Sequence, residues 1–195
     1  MKTLIAYASK TGTSKKCAEL LGQALPDSEL CDLTKEKRDP ASFDAVVIGG
    51  GIRMGRLHVD ARQYLEYCKD LLLTKRLGLF LCSGWPEQAE AQFSGNVDGE
   101  LLAHATVRMS FGGEIDMQRM HGFDRLLARM AQKAAREDPA SAPRLYPERI
   151  DAFAKAMAGK DGKEQSKTTP AAEKETRIAR QIRQKNETGV LSGDG

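Results

Sequence analysis

Six consecutive residues near the N-terminus carry groups suited to binding an anion. This hydroxyl loop consists of Ser9, Lys10, Thr11, Gly12, Thr13 and Ser14. An apolar, β-prone run at residues 4–8 precedes it, and helical spacing follows at residues 15–25. A loop between a strand and a helix N-terminus gathers free backbone N–H groups and the positive end of the helix dipole. The GxxxxGKS/T and GxGxxG patterns are both absent. Hydroxyl and amide groups around one glycine suit a single phosphomonoester better than a pyrophosphate. The simpler alternative is that these hydroxyl groups only cap the helix.

Apolar runs and helical spacing alternate along the first 158 residues. Five runs predict strands at residues 4–8, 28–33, 43–48, 77–83 and 105–111. Helices are predicted at residues 15–25 and 57–75, more weakly at 89–104, and from Pro147 onward, since proline suits a first helical turn. This alternation predicts an α/β fold with a parallel sheet and helices on both faces. The hydroxyl loop and residues 49–58 and 83–88 then meet at the carboxyl edge of the sheet, where such sheets bind ligands.

The SxTGTS sequence directly after the first strand resembles the phosphate loop of the flavodoxins, which bind FMN. The resemblance implies a flavodoxin-like three-layer sandwich whose five-stranded parallel sheet has the order 2-1-3-4-5. It also implies FMN as a non-covalent cofactor and a function in electron transfer. By the same resemblance, the FMN phosphate binds to the hydroxyl loop.

A flavin ring needs flat apolar cover on its faces and a few backbone groups at its edge. The ring-binding candidates are Gly50, Gly51, Ile52, Arg53, Met54 and Gly55 in one loop, and Ser83, Gly84 and Trp85 in the other. Trp85 is the only tryptophan and lies where flavodoxins carry a stacking aromatic residue. The alternative is that it packs in the core. Gly55 lies where members of that family rotate a peptide on flavin reduction, although glycine suits any tight turn.

The segment from Ile52 to His58 has the pattern IRxGxxH. Together with a long insertion after the fifth strand and the sequence Phe123-Asp124-Arg125, it resembles the menaquinone-dependent protoporphyrinogen oxidases, which are membrane-associated enzymes of flavodoxin fold. The resemblance covers about residues 1–158. Arg53 and His58 are then the catalytic candidates, the arginine beside the flavin or on a substrate carboxylate and the histidine as a proton carrier. The alternative is that both lie on the surface at a helix entry, where they act as caps.

The sequence divides into a predicted flavodoxin-like FMN-binding domain at residues 1–158 and a polar tail at residues 159–195. Residues 115–145 form an insertion between the fifth strand and the last helix, and part of it has amphipathic spacing. Insertions at this edge usually serve a substrate or a partner. In the tail, aromatic residues are absent and polar residues dominate, which predicts a flexible segment.

The composition limits the classes of partner. The 195 residues carry a net charge of +3 without a basic stripe interleaved with aromatic residues, which argues against a nucleic-acid partner. The four cysteines lack any metal-binding spacing, so no metal site is predicted and buried free thiols in a reducing compartment are expected. No apolar run reaches the length of a membrane span. We therefore expect a cytoplasmic protein, with peripheral contact to a membrane left open.

Two functions agree with these patterns. The first is a flavodoxin-type carrier that passes electrons to or from a redox partner protein. The second is a quinone-dependent flavin oxidoreductase, of which protoporphyrinogen IX dehydrogenase is the concrete case. The insertion and the IRxGxxH pattern favour the enzyme, whereas Trp85 and the hydrophilic tail are compatible with the carrier. A flavin-free interaction domain would require both the hydroxyl loop and Trp85 to be accidental. The oligomeric state does not follow from the sequence.

Overall fold

The computed structural model describes residues 1–113 and 144–159. Its strands are β1 (Thr3–Ala8), β2 (Ser28–Asp32), β3 (Ala45–Arg53), β4 (Arg56–Leu57), β5 (Arg76–Cys82) and β6 (Val107–Ser110). Its helices are α1 (Thr13–Ala24), α2 (Val59–Tyr67), α3 (Lys69–Leu72), α4 (Ala89–Ser94), α5 (Gly99–His104) and α6 (Pro147–Ala158). Short 3-10 turns lie at Pro40–Ser42 and Pro86–Gln88.

The parallel strands lie in the order β2-β1-β3-β5-β6. This is the predicted order 2-1-3-4-5 once β4 is left out of the numbering. The two-residue β4 was not predicted, and it pairs antiparallel with the end of β3. In the register, Ala8 of β1 lies beside Gly50 of β3, and Gly51 lies beside Cys82 of β5. The ends of β1, β3 and β5 are therefore neighbours at the carboxyl edge.

Helices cover both faces of the sheet, as predicted for a three-layer sandwich. On one face, α1 and α6 pack on the sheet, and Phe111 stacks on Phe80 at 5.0 Å and meets Phe153 edge-on at 5.3 Å. On the other face, α2, α4 and α5 bury a second cluster that includes Tyr64 and Phe93. Every residue of β1 is buried because alternate side chains enter the two clusters. The predicted α/β class is confirmed.

The predicted end of the third strand is wrong. We expected the strand to stop at Ile48 and a glycine loop to follow, but β3 continues through the glycines to Arg53. A Cβ atom placed on Gly49 would lie 2.3 Å from the Phe80 ring, and one on Gly50 would lie 3.2 Å from the Ala8 carbonyl oxygen. Glycine at these positions therefore lets the sheet and its aromatic cover pack closely, which sequence reasoning mistook for a loop signal.

The predicted helix at residues 57–75 is also wrong in part. Leu57 belongs to β4, and the helix is divided at Cys68 into α2 and α3. The weaker helical region forms two short helices, α4 and α5, and the other predicted boundaries shift by up to two residues. α6 begins at Pro147, as predicted.

Several predictions fall outside the described residues. They are the amphipathic part of the insertion, the Phe123-Asp124-Arg125 sequence and the tail beyond Gly159. The division into a domain and a tail therefore stays a prediction. Within the described residues, no helix is both long enough and apolar enough to cross a membrane.

Candidate functional site

Three segments meet at the carboxyl edge of the sheet. The hydroxyl loop follows β1, and a tryptophan loop at residues 83–88 follows β5. Between them lies a hairpin at residues 52–57, which comprises the end of β3, a two-residue turn and β4. The hydroxyl loop and β3 approach closely, since a Cβ atom on Gly51 would lie 3.6 Å from Ser14 Oγ. The structure thus brings together the sequence-predicted cofactor residues, which extend over 77 positions of the chain, from Ser9 to Trp85.

The hydroxyl loop ends at a helix whose N-cap is a glycine. Gly12 is the N-cap of α1 with a φ of 98°, and as a glycine it has no side chain with which to cap the helix. Ser9 Oγ instead accepts a hydrogen bond of 3.1 Å from the Gly12 N–H group, inside the loop itself. α1 begins at Thr13, two residues earlier than predicted, so Thr13 and the buried Ser14 lie in its first turn. The N-cap residue thus supplies no capping group of its own, and the first-turn N–H groups of α1 suit an anion. That the hydroxyl groups bind an anion rather than cap the helix stays a prediction.

The hairpin turns on two residues with positive φ. Met54 has a φ of 48° and Gly55 a φ of 73°, and the flanking residues Arg53 and Arg56 pair across the turn. Positive φ at both central positions defines the tight type I′ turn that suits the twist of a hairpin. The turn itself therefore explains the glycine at position 55, as expected from the alternative that glycine suits any tight turn. Met54 is unusual because a long side chain seldom adopts this conformation, and that side chain is 83% exposed.

The tryptophan loop is fixed from several sides, but its tryptophan is exposed. The Ser83 N–H donates to the Gly112 carbonyl oxygen at 2.9 Å, and Ser83 Oγ accepts from Trp85 N–H at 3.2 Å and from Gln92 Nε2 at 3.0 Å. A Cβ atom on Gly113 would lie 3.0 Å from the Gly84 nitrogen. Trp85 itself is 56% exposed, so the alternative that it packs in the core is wrong.

The two catalytic candidates lie on different sides of the hairpin: Arg53 ends β3, and His58 follows β4. Arg53 is exposed beside the turn. His58 is the N-cap of α2, where its Nδ1 atom lies 3.4 Å from the Asp60 N–H and 3.3 Å from the Asp60 carboxylate. The capping alternative therefore describes His58 in this structure. Neutral Nδ1 accepts from the Asp60 N–H, and protonated Nδ1 donates to the Asp60 carboxylate.

Sequence reasoning missed the two side chains that connect these loops, Gln92 and Asn96. Asn96 Oδ1 accepts from the Leu57 N–H, and Asn96 Nδ2 donates to the Gly55 carbonyl oxygen, both at 2.8 Å. Gln92 is 8% exposed and bonds to Ser83, while its Oε1 atom has no partner. A polar residue on a short, weakly amphipathic helix gives no local signal of such contacts.

Two cysteine thiols lie beneath the site. Cys17 Sγ of α1 and Cys82 Sγ of β5 are 3.6 Å apart, and both side chains are buried. The four cysteines are free and buried, as predicted. Farther away, burial raises the pKa of the Cys68 thiol to about 12, which keeps it protonated and unreactive at neutral pH.

The model of a protein family described as flavodoxin domain matches residues 4–141. The chain belongs to the flavodoxin domain family. The comparison with curated proteins found no match to the chain. Solved structures that resemble this flavodoxin-domain chain include rubredoxin oxygen:oxidoreductase from Desulfovibrio gigas, with 20% identity, a TM-score of 0.46 and coverage of 72% of this chain and 36% of that one.

Two smaller flavoproteins are also similar. One is a flavoprotein in complex with FMN from Lactobacillus acidophilus, with 20% identity, a TM-score of 0.44 and coverage of 56% of this chain and 91% of that one. The other is a Fusobacterium nucleatum flavodoxin mutant bound to FMN, with 12% identity, a TM-score of 0.42 and coverage of 56% and 68%.

Membership of the flavodoxin family supports FMN as the cofactor and flavin-dependent electron transfer as the general function. The residues at the edge are chemically suited to that cofactor. A helix N-terminus with a glycine N-cap matches a phosphate, and an exposed indole matches a ring face.

Proposed function

We propose that the chain binds FMN at the carboxyl edge of its sheet and acts as a flavodoxin-type electron carrier. The observation that carries the proposal is the meeting of a helix N-terminus with a glycine N-cap and an exposed tryptophan at one edge. Bound FMN supplies a ring that accepts and releases one or two electrons. The protein binds and orients that ring, and it controls access to it.

The phosphate group binds in the hydroxyl loop. The first-turn N–H groups of α1 and the hydroxyl groups of Thr11 and Thr13 donate hydrogen bonds to its oxygens. Gly12 supports this arrangement because its φ of 98° lets the chain turn into the helix without a side chain. Lys10 is exposed and adds positive charge nearby.

The ring binds between the hairpin and the tryptophan loop. Trp85 covers one face with its indole, and the backbone of Ser83 and Gly84 meets the ring edge. The hairpin, with Ile52 and Met54, borders the ring on the other side. A Cβ atom on Gly51 would lie 3.6 Å from Ser14 Oγ, so a glycine there keeps the space beside the hydroxyl loop open.

The electron partner meets a positively charged surface. Lys10, Arg53 and Arg56 are all exposed at this edge, and the same three segments carry one exposed carboxylate, Glu87. Opposite charges steer encounter and set orientation more than they raise affinity. We therefore expect a partner with acidic groups at its docking face, and an electron-transfer rate that falls as salt is added.

A second candidate function is quinone-dependent oxidation of an organic substrate such as protoporphyrinogen IX. The observation that favours it is the pair of exposed arginines on the hairpin, Arg53 and Arg56. Guanidinium groups bind carboxylates in a bidentate manner. His58 would carry protons only after leaving its contact with the N-terminus of α2.

Stepwise anaerobic photoreduction of the FMN-loaded protein separates the two functions. A carrier is expected to show two resolved one-electron steps in the visible spectrum. An enzyme is expected to show a single two-electron step, and quinone-dependent oxidation of protoporphyrinogen is then the assay that decides. A purified protein that cannot be loaded with FMN would contradict both.

A further inference from the structure

The free edge of β4 is satisfied by a side chain rather than by another strand. The Gly55 carbonyl and the Leu57 N–H both point away from β3, and a neighbouring strand would normally pair with such groups. Asn96 takes the place of that strand, since its Nδ2 donates to the Gly55 oxygen and its Oδ1 accepts from the Leu57 N–H. A side-chain amide carries the same donor and acceptor as a peptide group, so it completes the ladder.

The same asparagine belongs to a chain of hydrogen bonds between the two proposed ring-binding loops. Its Nδ2 atom also donates to the Gln92 carbonyl oxygen at 2.8 Å. The Gln92 side chain in turn donates to Ser83 Oγ, which accepts from the Trp85 N–H. The path therefore runs from Gly55 through Asn96, Gln92 and Ser83 to Trp85.

The two ends of this path differ in how much other support they have. The tryptophan loop is also held by the Gly112 carbonyl and by contact with Gly113. In the hairpin, β4 pairs with β3 along one edge only, and the turn between them includes the exposed Met54 with a positive φ. Loss of Asn96 would therefore loosen the hairpin more than the tryptophan loop.

We propose that Asn96 is a positioning residue that sets the hairpin against the flavin ring. This inference rests on the proposed FMN site. Without Asn96, binding would have to order the hairpin, and the cost would reduce the affinity for any ligand that carries the ring. Binding of the phosphate would be unaffected, because the hydroxyl loop makes none of these contacts.

The test compares FMN with riboflavin, which has the same ring and no phosphate. Loss of the two hydrogen bonds to the hairpin in Asn96→Ala is expected to raise both dissociation constants about tenfold and to leave their ratio unchanged. Asn96→Asp keeps an acceptor for the Leu57 N–H, but it places a second acceptor against the Gly55 carbonyl oxygen, where the wild type has a donor. We therefore expect a loss of affinity at least as large as in Asn96→Ala. Ser94→Ala, an exposed change on α4, is the matched control and should leave both constants unchanged.

The outcomes are distinguishable. A purely stabilising role for Asn96 would lower the unfolding temperature and leave both dissociation constants unchanged in the folded protein, which would overturn the inference and leave the FMN site standing. A change in the ratio of the constants would also overturn it, because the effect would then reach the phosphate. Near-isosteric Asn96→Asp provides the test if Asn96→Ala does not fold. A wild-type protein that binds neither flavin would remove the proposed function and this inference together.

Discussion

The hydroxyl loop and the hairpin lie at the same edge of the sheet, but they are held by interactions of different range. The hydroxyl loop is built from consecutive residues, and its internal bond joins Ser9 to Gly12. The hairpin depends on Asn96, which lies 39 and 41 positions from the residues it contacts. One region therefore derives its geometry from a local strand–loop–helix unit, and the other from tertiary packing.

This difference suggests that the two regions contribute separately to binding. The hydroxyl loop should determine affinity for the phosphate, whereas the hairpin and the tryptophan loop should determine affinity for the ring. A pair of ligands that differ only in the phosphate separates these contributions. FMN and riboflavin are such a pair.

The largest effect is expected from the double variant Thr11→Ala/Thr13→Ala. It removes two hydroxyl donors, each contributing about 1.5–3 kcal/mol toward a charged acceptor, so FMN affinity should fall about a hundredfold or more. Riboflavin affinity should stay the same. Isothermal titration of the apoprotein with each ligand measures both. Equal losses for the two flavins, or none, would show that the loop does not bind the phosphate.

Trp85→Ala should weaken the binding of both flavins equally. Aromatic stacking adds about 0.5–1.5 kcal/mol beyond the area buried, so we expect a loss of about tenfold for FMN and riboflavin alike. Trp85→Phe is the matched control, since it keeps a flat ring and should retain most of the affinity. Unchanged binding by Trp85→Ala would mean that the indole does not contact the flavin.

Met54→Gly tests whether the hairpin tip carries backbone strain. Met54 has a φ of 48°, and a residue without a Cβ atom adopts positive φ at little cost. We expect the free energy of unfolding of the apoprotein to rise by about 1 kcal/mol, as measured by urea denaturation. Gly55→Ala should act in the opposite direction because Gly55 has a φ of 73°. A destabilised Met54→Gly variant would indicate that the methionine side chain stabilises the turn by packing.

The smallest effect concerns pH and the segment that follows Asn96. Hydrogen bonds from Lys69 Nζ and from the Glu100 N–H hold the pKa of Asp98 below its usual value. A lowered carboxyl pKa stabilises the fold above the unfolded pKa, and this contribution is lost as the pH falls below about 4. Asp98→Asn keeps the helix-capping oxygen but not the charge.

The wild type should therefore be slightly more stable than Asp98→Asn at pH 7, and the difference should vanish at low pH. Denaturant unfolding of both proteins across this range measures it. A difference that does not change with pH would mean that the ion pair between Lys69 and Asp98 has no net effect on stability, as is common for exposed pairs.

The sequence predicted the layers and the hydroxyl loop because both follow local patterns. The buried run at β1 and the proline at the start of α6 are examples, and each appears where expected. The hairpin could not be predicted in the same way. Three glycines after Ile48 suggested a loop. In the structure, Gly49 lies in a strand, and a glycine is needed there because the Phe80 ring leaves no room for a side chain. That contact joins two strands distant in sequence, and a single sequence does not show it.

In the candidate site, too, features set by contacts distant in sequence could not be predicted. The exposure of Trp85 depends on the backbone of a loop anchored by Gly112 and Gln92, which no local pattern reveals. His58 has a residue type suited to proton transfer, yet in the structure it caps α2. A residue type indicates what a side chain can do, whereas its contacts determine what it does.

The most direct test of the FMN site uses the single tryptophan as a reporter. The emission of Trp85 can be followed while the apoprotein is titrated with FMN, because no other tryptophan contributes. If the ring stacks on Trp85, tryptophan and flavin emission should be quenched together and saturate at one FMN per chain. FMN binding at that stoichiometry without a change in tryptophan emission would contradict the placement of the ring, and the absence of any binding would contradict the site as a whole.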